Sequence, residues 1–138
     1  MRVVLDTNVL VSGIFFGGPS GTVLESWSAG RYELIVSPSI LDEYLRTCER
    51  LAATYPDLEY ESILATIAGH GTLVPDATAS DPVTADPDDD KFLLCARDHD
   101  AIVVSGDRHV LGSSGWSGVQ VLTPRDFLTK LADEAESG

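Results

Sequence analysis

The sequence predicts an α/β fold: a three-layer α/β/α sandwich with helices on both faces of a central parallel sheet of about five strands. Two observations carry that prediction. Short apolar runs rich in β-branched residues alternate along the chain with segments of helical periodicity. The clearest runs, Val3-Val4-Leu5 and Ile102-Val103-Val104, are apolar at successive positions. A strand covered on both sides reads that way, whereas a half-solvated antiparallel strand alternates.

Taken in order, Arg2-Val3-Val4-Leu5 is the first strand and stops at Asp6. Asp6-Thr7-Asn8 follows, then an apolar stretch over 9–16. The glycine-rich cluster at 17–21 breaks that stretch, and residues 22–29 read as a further short helix. Residues 32–36 are the second strand candidate. Ser37-Pro38 then starts a helix, with serine as N-cap and proline at the first position. Behind it Ile40, Leu41, Tyr44, Leu45, Cys48 and Leu51 recur at helical spacing. Tyr60, Ile63, Leu64, Ile67 and Ala68 form another amphipathic helix ended by Gly69, and Thr72-Leu73-Val74 a third strand. Over 75–89 the composition turns to Pro, Asp, Ala, Ser and Thr, which reads as a long exposed acidic loop. Residues 91–98 are a helix, and 101–105 the next clear buried strand, with Asp107 just past its end. A fifth strand lies at 118–122. Thr123-Pro124 opens a last helix containing Phe127, Leu128 and Leu131, leaving 133–138 as a flexible tail. With no internal repeat, residues 1–138 read as a single domain.

A chain of 138 residues buries roughly 70% of the surface that unfolding would expose. An apolar content of 43% excludes disorder, even with 22 acidic against 9 basic side chains and a net charge of -13. No apolar run approaches the ~20 residues of a membrane span, and Asp6 interrupts any signal-peptide pattern, so a cytoplasmic location is expected. Cys48 and Cys95 make no disulfide framework, and no Cys/His pattern spells a zinc site. The acidity also counts against broad, non-specific nucleic-acid binding.

Ligands of open parallel sheets bind beyond the carboxyl ends of the strands, where Asp6 and Asp107 fall. Each would equally well cap the helix that follows. Asp89 shares a helical face with Phe92, Leu93 and Ala96, at i, i+3, i+4 and i+7. Asp88 and Asp90 are rotated away and suit a cap and a solvated charge. A helix start also tolerates acids through its dipole. Asp42 and Glu43 both flank the apolar stripe of their helix; periodicity does not choose between them, and a solvated face suits either. If Asp6, Asp89, Asp107 and one of these converge, each carboxylate pair ~4 Å apart costs about 4 kcal/mol at an effective dielectric near 20. Either some stay protonated or a divalent cation neutralises them, and all-oxygen ligands select Mg²⁺ or Mn²⁺. Such an ion activates water and clamps the oxygens of a phosphodiester.

Four segments in this order resemble the PIN-domain nucleases, particularly the toxin components of bacterial toxin–antitoxin modules (VapC-like). They are Val4-Leu5-Asp6-Thr7-Asn8-Val9-Leu10-Val11-Ser12-Gly13, Ser37-Pro38-Ser39-Ile40-Leu41-Asp42-Glu43-Tyr44, Asp86-Pro87-Asp88-Asp89-Asp90-Lys91-Phe92-Leu93-Leu94-Cys95-Ala96 and Ile102-Val103-Val104-Ser105-Gly106-Asp107-Arg108-His109-Val110-Leu111. The resemblance spans 3–131. It implies a metal-dependent endoribonuclease with three or four acids around Mg²⁺ or Mn²⁺. Carried onto this chain they are Asp6, Glu43, Asp89 and Asp107, with Asp90 as the one-residue alternative to Asp89. Thr7 and Asn8 would position an acid or bind metal-bound water. Where many relatives carry a further acid, this chain has His109.

The chemistry implied is in-line attack by metal-activated water on RNA, leaving a 5′-phosphate, with Glu43 ligating the ion or orienting the nucleophile. His70, His99 and His109 take no part as bases. The implied partners are an RNA substrate, a cognate basic antitoxin that occludes the acids, and a second copy in a homodimer. Phe15, Phe16 and Trp27 either line the antitoxin groove or belong to the core. Arg31, Arg46, Arg50, Arg108 and Arg125 are the candidate phosphate contacts. The rival from another class is a catalytically silent PIN-like module that binds RNA or protein. Asn at position 8 argues against a haloacid-dehalogenase phosphatase. Lysines only at 91 and 130 argue against a receiver domain, and 17–21 lacks the Gly-Lys-Ser/Thr of a P-loop.

Overall fold

Five short strands form one parallel sheet: β1 (Arg2–Leu5), β2 (Glu33–Val36), β3 (Thr72–Leu73), β4 (Ile102–Val104) and β5 (Val121–Leu122), in the spatial order β3-β2-β1-β4-β5. The structure is a computed structural model and describes residues 1–78 and 87–137, with the side chains of 87–89 and 137 outside that description. Seven α-helices lie among the described residues: α1 (Thr7–Phe15), α2 (Gly18–Ser28), α3 (Pro38–Ala52), α4 (Glu61–His70), α5 (Pro87–His99), α6 (Arg108–Leu111) and α7 (Pro124–Ser137). The chain moves outward from β1 through β2 to β3, then crosses back to β4 on the other side of β1. Right-handed crossovers therefore put α1 to α4 on one face and α5 with α6 on the other, giving the expected sandwich. That reversal makes the carboxyl ends of β1 and β4 the switch point of the sheet.

The register fixes the geometry there. Val3 pairs with Ile102, Val4 with Val103 and Leu5 with Val104, so the two central strands end level. Val3, Val4, Leu5, Ile35, Val103 and Val104 are fully buried, as continuous apolar strands between two helical layers require. Ser37 caps α3, its Oγ accepting from the Ile40 N–H at 3.4 Å. No helix among the described residues is long and apolar enough to cross a membrane.

Several boundaries differ from the sequence expectation. Residues 9–15 of the apolar stretch belong to α1, with Phe16 at its C-cap, and α2 already starts at Gly18, inside the glycine cluster. Gly17 and Gly18 take left-handed φ of 75° and 64°, so the cluster is a sharp joint between two helices and Pro19 stands in the first turn of the second. A Cβ on Gly13 would come within 2.7 Å of the Ser20 carbonyl oxygen, the approach that lets α1 and α2 pack. α4 runs through Gly69 to His70. α5 begins at Pro87 rather than 91, taking in the last residues of the expected acidic loop; residues 79–86 of that loop lie outside the described residues. α7 continues to Ser137 where a tail over 133–138 is expected. Phe127 and Leu131 anchor it in the core, and Lys130 pairs with Glu134 at 3.8 Å one turn on.

Candidate active site

Asp6 leaves β1 in an extended conformation, and its backbone N–H donates to the Val104 carbonyl at 3.0 Å, tying the exit of β1 to that of β4. Its side chain is 3% exposed. No capping hydrogen bond to α1 forms; the Asn8 N–H faces the carboxylate and draws its pKa down without reaching hydrogen-bond geometry. The Ser105 hydroxyl donates to Asp6 Oδ2 at 2.6 Å. Burial dominates and holds the Asp6 pKa above the ordinary carboxylate value. Ser105 and Asn8 oppose it, and the charges of Glu43 and Asp107 add to it. The charges of two further sequence-predicted acids, Glu43 on α3 and Asp107 past the end of β4, thus reach Asp6 at the end of β1.

Ser105 is fully buried and works in two directions. Besides donating to Asp6, its Oγ accepts from the Asp107 backbone N–H at 3.0 Å. Asp107 is half-buried and caps α6, with Oδ1 accepting from the His109 N–H at 2.7 Å and the Val110 N–H at 3.3 Å.

Glu43 stands near the start of α3. Thr7 Oγ1 donates to its Oε2, and the Lys91 ammonium donates to its Oε1 at 2.8 Å. Asp42, the alternative that periodicity leaves open, points to solvent and pairs with Arg46 at 2.9 Å. The next residue fixes the height of α3: the buried Tyr44 hydroxyl donates to the Leu5 carbonyl at 2.5 Å, just before Asp6. Burial first, and the Asp6 charge second, push that phenol well above its usual pKa.

The remaining predicted acid lies on α5, which packs against β1, β4 and α3 and so brings its first turns to the carboxyl edge. The Asp89 side chain lies outside the described residues. Asp90 is 8% exposed, so it is not the solvated charge that its helical angle suggests; the elements facing this end of α5 bury it. Asp76, in the stretch read from sequence as an exposed acidic loop, is tied to α3. Its Oδ1 accepts from the Ser39 N–H at 3.0 Å and the Ser39 hydroxyl at 2.7 Å, pinning the chain after β3 to the start of α3. Those bonds, with a smaller contribution from Lys91, hold its pKa below the usual value.

Thr7 is buried against Glu43, whereas Asn8 is exposed. His70 and His109 are exposed and His99 is half-buried at the end of α5. Of the candidate phosphate contacts, Arg108 directly follows Asp107 and is exposed; Arg46 is held by Asp42, and Arg31 donates to the Leu131 carbonyl at 3.3 Å. Phe15 is buried, Trp27 packs half-buried against the core, and Phe16 is 62% exposed.

Among the described residues, no group of three or more His, Cys, Asp or Glu side chains is arranged to hold a metal ion. The donor set nonetheless suits a hard cation: oxygens only, with burial first and the nearby charges of Glu43 and Asp107 after it raising the Asp6 pKa. Sequence reasoning assigned no role to Ser105, Lys91, Tyr44 or Asp76. A lysine directly after an acidic run is the one sequence signal that could have drawn attention to Lys91.

A family model described as PIN domain matches residues 2–109, an interval that contains Asp6, Glu43, Asp89, Asp90 and Asp107. No curated protein matches the chain.

Proposed function

The chain belongs to the PIN domain family, generally a nuclease fold, and from that premise we propose that it is a divalent-cation-dependent endoribonuclease, the toxin of a toxin–antitoxin pair. The observation that carries this reading is the buried Asp6 carboxylate at the switch point, with Glu43 and Asp107 near enough for their charges to act on it. Acids gathered around a buried carboxylate are an arrangement that a cation-binding site uses. Asp6, Asp107 and Glu43, with Asp89 or Asp90 from α5, are the residues that would hold Mg²⁺ or Mn²⁺. Bound there, the ion would lower the pKa of a water and offset charge on the phosphodiester.

The chain's own residues set the positions. Ser105 fixes one oxygen of Asp6 and the backbone of Asp107 together, so the two strand-end carboxylates cannot move independently. Thr7 orients Glu43, and Tyr44 holds α3 at the level of β1. Arg108, beside Asp107, is the arginine best located to meet the RNA backbone.

The partners follow from charge and surface. A net charge of -13 favours a basic protein and keeps RNA engagement local to the site. An apolar groove of ≈ 260 Å³ lined by Leu24, Trp27, Ser62, Ile63 and Thr66 offers such a partner a foothold. A homodimer and a cytoplasmic location complete the proposal. The test is incubation of single-stranded RNA with the protein in Mn²⁺ or Mg²⁺. Cleavage that leaves 5′-phosphates, stops with chelator and is lost in Asp6→Asn is expected. Equal cleavage by wild type and Asp6→Asn, or none by either, overturns the reading and leaves a silent binding module.

A further inference from the structure

Glu43 is fully occupied by its own chain. Thr7 holds Oε2, and Lys91 holds Oε1 at 2.8 Å. The Lys91 and Glu43 side chains keep 25% and 26% of their surface in solvent, so this ion pair sits at the mouth of the site rather than beneath it. Lys91 is also close enough to Asp76 to act on its charge. Five other basic side chains have partners away from the acids: Arg2 with Glu33, Arg31 with the Leu131 carbonyl, Arg46 with Asp42, Arg97 with Asp98 and Lys130 with Glu134. A lysine is suited to this place because its ammonium is a compact charge on a flexible stem, able to change partners without a fixed fork geometry.

We infer that Lys91 is the built-in counter-cation of the site, exchanged off Glu43 when a divalent cation binds, and that its released ammonium contacts the phosphodiester of the substrate. The inference rests on the divalent-cation reading of the site and deepens it. Before cation binding, Lys91 offsets Glu43 and lowers the repulsion that Glu43 exerts on Asp6. In the loaded site Glu43 no longer needs it, and the freed ammonium, at the mouth of the site beside Asp76, can turn to a phosphate oxygen of a substrate lying there. The two cations therefore compete for one carboxylate, and that competition separates this role from a purely structural ion pair.

Calorimetric titration of Mn²⁺ into wild type, Lys91→Met and Lys91→Arg, with steady-state RNA cleavage beside it, tests the inference. Lys91→Met is expected to bind Mn²⁺ about fivefold more tightly, since a half-exposed competing pair is gone. It should also lose about a hundredfold in kcat/KM for RNA, as removal of one charge-stabilising donor does. Lys91→Arg should keep wild-type Mn²⁺ affinity and recover part of the cleavage. Weaker or unchanged Mn²⁺ binding in a folded Lys91→Met overturns the exchange, and unchanged kcat/KM overturns the phosphate contact. If Lys91→Met does not fold, Lys91→Arg decides: wild-type Mn²⁺ affinity with partial cleavage supports the inference, and loss of Mn²⁺ binding overturns it. Failure of the parent reading looks different, because wild type itself then neither takes up Mn²⁺ nor cleaves RNA.

Discussion

The exits of β1 and β4 are neighbours in the sheet, end level, and each carries an aspartate before a helix, yet the two carboxylates have opposite fates. Asp107 is half-buried and spends one oxygen on two backbone N–H groups of α6. Asp6 is almost fully buried and makes no cap; Ser105 and, more weakly, the Asn8 N–H favour its charge, while burial and two like charges oppose it. A capping aspartate is compensated by the helix it starts. Asp6 starts its helix without such a cap. Strand-end position alone does not separate the two carboxylates; burial and capping do.

The sharpest way to break this contrast is chemical. Asp6→Asn should reduce RNA cleavage about a thousandfold, a loss of several kcal/mol of charge stabilisation, with the fold intact by circular dichroism. Ser105→Ala comes next. It frees Asp6 Oδ2 and the Asp107 N–H together, so cleavage should fall about 10- to 100-fold. Denaturant melts should show a loss of about 1–3 kcal/mol, and the Asp6 pKa should rise further. Asp107→Ala removes a cap and should cost about 1 kcal/mol in urea unfolding, while Asp6→Asn without added metal should cost none.

The smallest effect is in pH. The Asp6 pKa is raised in the folded state above its unfolded value near 3.8, so the native protein binds the proton more tightly. Cation-free stability should therefore decline as pH rises from about 4 through the folded pKa, and level off beyond it. Asp6→Asn should remove that part of the slope. A slope of equal size in the variant would assign it elsewhere.

The legible parts of this molecule were those with a strong physical period. β1 and β4 announce themselves because a doubly covered strand has nowhere for a polar residue, and α3 because Ser37-Pro38 marks its start. α1 was missed as a helix because Val9, Leu10, Val11 and Phe15 are buried around much of its circumference, which blurs the period. α6, with four residues, is too short to have one. At the site, the identities of Asp6 and Asp107 were readable but their difference was not, since it depends on which N–H groups reach each carboxylate. Glu43 could not be told from Asp42 by spacing, because what sets it apart is long-range: Thr7 and Lys91 reach Glu43 from other elements, while Asp42 pairs with Arg46 one turn along its own helix. Ser105 was invisible for a similar reason, as a strand-end serine is ordinary until its two partners are known.

One measurement tests the central claim most directly: the melting temperatures of wild type and Asp6→Asn, each with and without saturating Mn²⁺. The account predicts a crossover. Without metal the variant melts at or above the wild type, because a buried, uncompensated charge is gone. With Mn²⁺ at about a hundred times its dissociation constant, only the wild type gains, by about 2.7 kcal/mol, and overtakes it. Equal shifts in both proteins, or a variant that melts lower without metal, would contradict the claim that Asp6 is held buried and ionisable for a cation.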